Sequence, residues 1–297
     1  MNNLEHCPIC NGVEFKKFLT PKDHLVSKKI FKIVECESCG FHFTNPIPSK
    51  ENIGDYYKSS DYISHSSTSK GIIDWIYIQV RKYTLQNKIN WVKKVASGTH
   101  LLDIGSGTGH FLSVANEQGF QGVGIEPDEG ARNFAHRFNQ VRSSAQEDLY
   151  DIENDSFDII TMWHVLEHVY DLKKDVKVIH SILKPDGRVF IAVPNMNSLD
   201  ARHYKKYWAA YDVPRHLYHF RKIDVVRLML DHGFELKKVI PMKFDAFYIS
   251  MISERYRSRL PFFGFFVGLV SNLRAKKFGY SSQVYVFAKS KNKLNLN

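Results

Sequence analysis

Apolar and polar positions change period along the chain. Glu14-Phe-Lys-Lys-Phe-Leu19 and Lys29-Ile-Phe-Lys-Ile-Val34 alternate in the way of short strands with one face buried. From Ile72 to Val95 the apolar residues Ile72, Trp75, Ile76, Val80, Tyr83, Ile89, Trp91 and Val92 fall at roughly helical intervals with no internal Gly or Pro, which predicts a helix. The stretch before it, Tyr56 to Ser69, is polar and turn-rich with aromatic residues interleaved, and reads as a linker or a lid. Beyond residue 98, short and largely apolar runs (Leu101–Ile104, Phe157–Thr161, Val189–Val193) alternate with amphipathic segments such as Ala131–Phe138. Buried strands alternating with helices predict an α/β fold on a largely parallel sheet.

The first of these strands runs into Gly105-Ser-Gly-Thr-Gly109, and a helix opens at Phe111. Glycines at such a turn let the backbone approach a ligand closely, and the helix N-terminus beyond offers unpaired N–H groups. A dinucleotide fingerprint would need Gly or Ala at position 110, where this chain has His110, and the Gly-Lys-Ser/Thr of a P-loop is absent. Both NAD and ATP lose ground. Gly122-Val-Gly-Ile-Glu126 ends the next strand with a carboxylate placed to accept hydrogen bonds from ribose hydroxyls.

All four cysteines lie in the first 40 residues, as Cys7-Pro-Ile-Cys10 and Cys36-Glu-Ser-Cys39. Two such turns can complete the four-sulfur tetrahedral shell of a closed structural zinc site, with disulfides as the alternative in an oxidising compartment. With the flanking strand patterns they predict a zinc ribbon over residues 1–45. An N-terminus carrying Glu5, with no following apolar run, lacks the pattern of a signal peptide, and no apolar stretch approaches the ~20 residues of a membrane span. The expected location is the cytoplasm, at most peripheral to a membrane.

Charge changes this picture downstream. The chain holds 41 Lys and Arg against 31 Asp and Glu, a net charge of +10. Residues 101–200 carry sixteen acidic and eight basic side chains, whereas residues 201–280 carry sixteen basic and six acidic ones. The basic part favours an anionic partner: a phosphorylated small molecule, an anionic membrane surface or nucleic acid.

Taken in order, Leu102-Asp-Ile-Gly-Ser-Gly-Thr-Gly109, Gly124-Ile-Glu126, Phe157-Asp-Ile-Ile-Thr-Met-Trp-His-Val-Leu-Glu-His168 and Leu183-Lys-Pro-Asp-Gly-Arg-Val-Phe-Ile191 resemble the class I S-adenosylmethionine-dependent methyltransferases. The ribbon, the Trp163–His168 run and Tyr211-Asp-Val-Pro-Arg-His-Leu-Tyr-His-Phe220 further resemble bacterial members encoded with polysaccharide biosynthesis functions. The resemblance implies a Rossmann-like seven-stranded sheet with helices on both faces over residues 98–290, with insertions at about 196–222 and 243–281, joined to the ribbon through residues 46–97. It implies that Asp103, Gly105, Gly107 and Gly109 cradle the methionine part of the cofactor, that Glu126 holds its ribose and that Ala145 and Gln146 meet adenine. Many relatives carry an Asp where Ala145 stands. Met162, Trp163 and His164 would lie beside the sulfonium, with Glu167 and His168 as capping or supporting groups.

Methyl transfer to a hydroxyl needs a proton acceptor, and an imidazole suits that task near neutrality. His164 is the first candidate base, with His216 and His219 as alternatives. The 196–222 insertion mixes Tyr207, Trp208 and Tyr211 with Lys205, Lys206 and Arg215, as sugar and phosphate pockets do. The expected acceptor is therefore an anionic small molecule, a sugar, nucleotide-sugar or lipid-linked glycan entering past Arg215. RNA methylation through the ribbon is the alternative, weakened by the ribbon's small charge. In residues 255–277, basic residues flank an apolar run, which suits a lid, a dimer face or a shallow membrane contact.

Overall fold

The structure, a computed structural model, describes residues 1–58 and 72–290, with side chains of the helix at Ile72 described from residue 80 onward. Much of the linker or lid reading, including Tyr62 and His65, lies outside the described residues. A central sheet of seven strands has the order β10-β11-β8-β7-β4-β5-β6. Its members are β4 (His100–Ile104), β5 (Gln121–Ile125), β6 (Ser143–Ser144), β7 (Phe157–Trp163), β8 (Leu183–Pro194), β10 (Phe234–Pro241) and β11 (Ser282–Lys289). β8, β7, β4, β5 and β6 run parallel; β11 is antiparallel to both β8 and β10. Four of the five residues of β4 are buried, as expected of a strand covered on both faces.

The covering helices are α1 (Ile72–Val95), α2 (His110–Glu117), α3 (Glu129–Asn139), α4 (Leu172–Ile182) and α6 (Lys222–Leu230), with α5 (Leu199–Tyr204) in the first insertion. Asp128 and Asp171 cap α3 and α4 by accepting hydrogen bonds from Ala131 N–H and Lys174 N–H. From β4 the chain goes to β5 on one side and later returns to β7 on the other. The order of strands thus reverses beyond the C-terminal end of β4, the crevice where open α/β sheets bind ligands.

A second, four-stranded sheet of order β1-β2-β3-β9 is built from β1 (Phe15–Leu19), β2 (Ile33–Cys36), β3 (His42–Thr44) and β9 (Tyr218–His219). The ribbon is therefore not confined to residues 1–45. Its last strand comes from the first insertion, with His42 opposite His219 and Phe43 opposite Tyr218. Phe41, Phe43 and Ile47 of the ribbon share one hydrophobic core with Leu166, Leu217, Phe220 and Val225. Burial of β3 and β9 against the larger domain is what joins them. This position also removes His219 as a candidate base: it is buried, and its Nε2 lies 3.1 Å from Thr44 Oγ1 within the ribbon sheet.

The second insertion forms α7 (Lys243–Tyr256), α8 (Phe262–Leu273) and the short α9 (Ala275–Phe278). Gly264 and Gly268 face α7 so closely that an added Cβ would stand 2.5 Å from Met251 N and 2.8 Å from the Ala246 carbonyl oxygen. Because the small residues take the packed face of α8, its large apolar residues point outward.

Candidate active site

The glycine loop turns from β4 into α2 at the sheet's crevice. Gly105, Gly107 and Gly109 all have positive φ, between 53° and 79°. At Gly105 a Cβ would collide with Val165 Cγ2 at 2.4 Å, whereas at Gly107 it would meet no atom within 4 Å. Gly105 is thus required by packing, and Gly107 by backbone conformation and an open approach. Glu126, at the end of β5, holds this loop: its Oε2 accepts from Gly107 N–H at 2.8 Å and its Oε1 from Asp128 N–H at 2.9 Å. Each oxygen keeps a second lone pair that could accept from a ribose hydroxyl. Burial pushes the Glu126 carboxyl upward, and the two backbone N–H groups oppose the shift.

Asp103 is 2% exposed and accepts from Thr161 Oγ1 at 2.6 Å. Burial raises its pKa to about 7, against the pull of Thr161 and Lys88; in its ionised form it can pair with a cationic ligand group. Beside it, Trp163 packs edge-on against Phe111 at 5.2 Å between centroids, and Lys88 Nζ lies 4.4 Å from the Trp163 ring centroid. Trp163 Nε1 is buried and has no hydrogen-bond partner among the described residues. Met162 is fully buried in the core. Ala145 follows β6, but its N–H, the group expected to meet adenine, already donates to Asp148 Oδ2 at 2.9 Å. Gln146 is half-buried beside it.

His164 directly follows β7, with φ 61°. Its Nδ1 lies 3.4 Å from Glu167 Oε1 and its Nε2 3.3 Å from Asp245 Oδ2, on α7. Burial opposes protonation, yet the two carboxylates win and raise the imidazole to about 9. A ring that already carries its proton at neutral pH cannot take another, so the geometry disagrees with His164 as general base. Glu167 and His168 do not cap a helix, since the chain here forms turns. Glu167 is 1% exposed, and neither of its carboxylate oxygens receives a hydrogen bond from a described residue. His168 Nδ1 lies 3.0 Å from the Arg215 carbonyl oxygen, and His216 Nδ1 lies 2.8 Å from that of Ala210.

Arg215 does not line an acceptor path. It is 1% exposed and its guanidinium is consumed by Asp23 at 3.0 Å, by both oxygens of Asp212 at 2.6 and 2.9 Å, and by the Tyr56 carbonyl at 2.8 Å. Tyr211 is buried as well. The open cationic surface lies nearby instead, in a cleft between β1 and the turn after α5, where Lys17, Lys205, Lys206 and Arg257 surround Tyr207 above the buried Tyr204. Sequence reasoning missed Lys17 and Asp245 because nothing local distinguishes them from other surface charges.

In the ribbon, Cys7 Sγ and Cys39 Sγ are 3.6 Å apart, as are Cys10 Sγ and Cys36 Sγ, and all four sulfurs lie within 4.8 Å of one another. Sulfurs about 2.3 Å from a tetrahedral zinc stand roughly 3.8 Å from one another. Disulfides would need S–S contacts of about 2.05 Å, so the arrangement fits a four-thiolate metal site.

Comparison with known proteins decides the family. The methyltransferase-domain family matches residues 79–239, more than half of the chain. The chain belongs to that family. It is a class I, S-adenosylmethionine-dependent methyltransferase. Over 175 residues the methyltransferase is 27% identical to the ubiquinone biosynthesis O-methyltransferase of Pseudomonas paraeruginosa, covering 53% of this chain and 75% of that protein. Its fold is similar to that of a magnesium protoporphyrin IX methyltransferase from Synechocystis with bound S-adenosylhomocysteine (TM-score 0.55, 15% identity, 82% of this chain and 100% of that one). It is similar too to a methyltransferase from Archaeoglobus fulgidus (TM-score 0.51, 18% identity, 70% and 94%). The crevice residues fit the cofactor of this class: an open cradle at Gly107, a buried carboxylate at Asp103 and an unpartnered Trp163 Nε1.

Proposed function

We propose that this methyltransferase transfers the methyl group of S-adenosylmethionine to a hydroxyl of an anionic, sugar-containing small molecule: a sugar phosphate, a nucleotide-sugar or a lipid-linked glycan. Asp103, Gly105, Gly107, Gly109 and Glu126 are assigned to the cofactor, with Gln146 toward adenine, and the four cysteines to a structural zinc. The cofactor supplies a methyl carbon already activated by the positive sulfur, so the protein's task is to orient the acceptor's oxygen in line with it. Small-molecule O-methylation agrees with the activity named for the Pseudomonas relative.

The cleft of Tyr207, Lys17, Lys205, Lys206 and Arg257 carries the acceptor assignment, because a flat aromatic ring beside cations suits a sugar joined to phosphate. α7 carries Asp245, the partner of His164, near its start, and Arg257 follows its end. At 1.5 Å per residue these positions are about 18 Å apart, which favours an acceptor longer than one ring. The test is methyl transfer to nucleotide-sugars, glycan-lipid extract and total RNA. Transfer to RNA alone would overturn the assignment.

A lipid-linked acceptor agrees with α8. Phe262, Phe263, Phe265, Phe266, Leu269 and Leu273 are each 41–73% exposed. Arg255, Arg257, Arg259, Arg274, Lys276 and Lys277 flank them, and no Asp or Glu occurs between residues 255 and 281. No described helix is long and apolar enough to cross a membrane, so we assign this face to shallow contact with an anionic bilayer. Cosedimentation with phosphatidylglycerol vesicles should fall sharply in Phe262→Ser/Phe266→Ser, while neutral vesicles bind weakly. Equal binding by the variant would remove the assignment.

A further inference from the structure

Three side chains behind His164 remain unused by the cofactor assignment. One ligand atom from each of Glu167, His168 and His216 lies within 4.8 Å of the others. His168 and His216 come from separate turns, yet their rings meet edge to face with centroids 4.6 Å apart.

The hydrogen bonds around these rings set their tautomers. A carbonyl oxygen can only accept, so Nδ1 of His216 carries the hydrogen given to Ala210, and Nδ1 of His168, 3.0 Å from the Arg215 carbonyl oxygen and 3.1 Å from the Tyr57 hydroxyl, carries one that these two oxygens share. In each neutral ring Nε2 then holds a lone pair. Metal-bound histidines are oriented in this way, with the far ring N–H donated to a carbonyl. The third member, Glu167, is nine-tenths buried and more, with two oxygens that no described group hydrogen-bonds. His164 Nδ1 stands at ion-pair distance from Oε1, leaving Oε2 without a cationic partner of its own. Beyond the His164 contact at Oε1, this buried carboxylate and the two imidazoles bring three ligand atoms within 4.8 Å of one another, and a cation between them would satisfy Oε2.

We propose that Glu167, His168 and His216 form a second metal site, for a divalent first-row transition cation, separate from the four cysteines. Two imidazoles and one carboxylate suit such an ion rather than calcium or magnesium, which prefer all-oxygen shells. Three protein ligands leave at least one position open on a four-coordinate ion, unlike the closed four-sulfur site. That position would receive the acceptor's oxygen, a use that rests on the acceptor assignment above. The ion's binding does not.

The experiment loads the ribbon with one equivalent of zinc and then titrates the full-length protein with Co2+ alone. A second equivalent should bind, with weak visible d–d bands and no strong sulfur-to-cobalt charge-transfer absorption. Glu167→Gln and His216→Gln should each weaken this equivalent tenfold or more while the first zinc and binding of S-adenosylhomocysteine stay unchanged. The wild-type spectrum needs no variant, so the test survives if either substitution impairs folding. Absence of a second equivalent, or one that both variants retain at full affinity, overturns the site. Methyl transfer that is indifferent to a bound second ion overturns only its use by the acceptor.

Discussion

Arg215 and Asp23 meet at 3.0 Å although 192 positions separate them, one from the first insertion and one from the ribbon. Asp23 itself accepts from the backbone N–H groups of Leu25, Val26 and Ser27 and from Ser27 Oγ. Those bonds and Arg215 hold its carboxyl below the usual range, even though burial pushes the other way. The pair clamps the ribbon to the catalytic domain, reinforcing the shared strand β9.

Arg215→Met should therefore act on stability. Removing one partner leaves Asp23 buried and uncompensated, at about 3–5 kcal/mol. Urea unfolding measures this loss, and S-adenosylhomocysteine affinity of the folded protein should be unchanged. Full stability with a raised acceptor KM would return Arg215 to the substrate path.

Purified protein should retain one tightly held zinc after dialysis against a mild chelator, and Cys36→Ser should lose it. Since ribbon and catalytic domain share a core, the variant's thermal transition should move as a whole rather than split in two. Elemental analysis and calorimetry read both outcomes. Unaltered stability without metal would count against a structural zinc.

Gly105→Ala and Gly107→Ala should fail differently. The first places a methyl into Val165 and should chiefly lower the melting temperature. The second meets open space, so beyond the roughly 1–2 kcal/mol for a left-handed alanine it should chiefly weaken cofactor binding. Melting curves with and without S-adenosylhomocysteine separate the two, and identical behaviour would contradict the division of roles.

Asp103 should make cofactor binding pH-dependent. Its folded pKa is raised to about 7, so the ligand-free native state binds a proton that the unfolded chain has lost, and this group's contribution to stability falls as pH rises from about 4 through 7. A ligand ammonium pairs with the ionised form. Affinity for S-adenosylhomocysteine should consequently decline, by up to about tenfold per pH unit, below pH 7, and Asp103→Asn should flatten the profile. Calorimetry from pH 6 to 8 tests the slope. A wild-type profile as flat as the variant's would place the ligand's charge elsewhere.

The sequence by itself determined the features written in short range. Buried apolar strands, a glycine turn before a helix, a carboxylate ending the next strand and two Cys-x-x-Cys turns each rest on the backbone preferences and spacing of a few neighbours. Only the tertiary structure decided what depends on partners distant in sequence. Arg215 reads as a substrate-binding cation until Asp23 and Asp212 are found around it, and His164 reads as a base until Glu167 and Asp245 hold its proton. His168 and His216 meet because the first insertion folds back over the β7 turn, and the phenylalanines of α8 face outward because Gly264 and Gly268 occupy the packed side. A side chain's chemistry is set by type, but its charge state and exposure are set by what long-range packing brings against it.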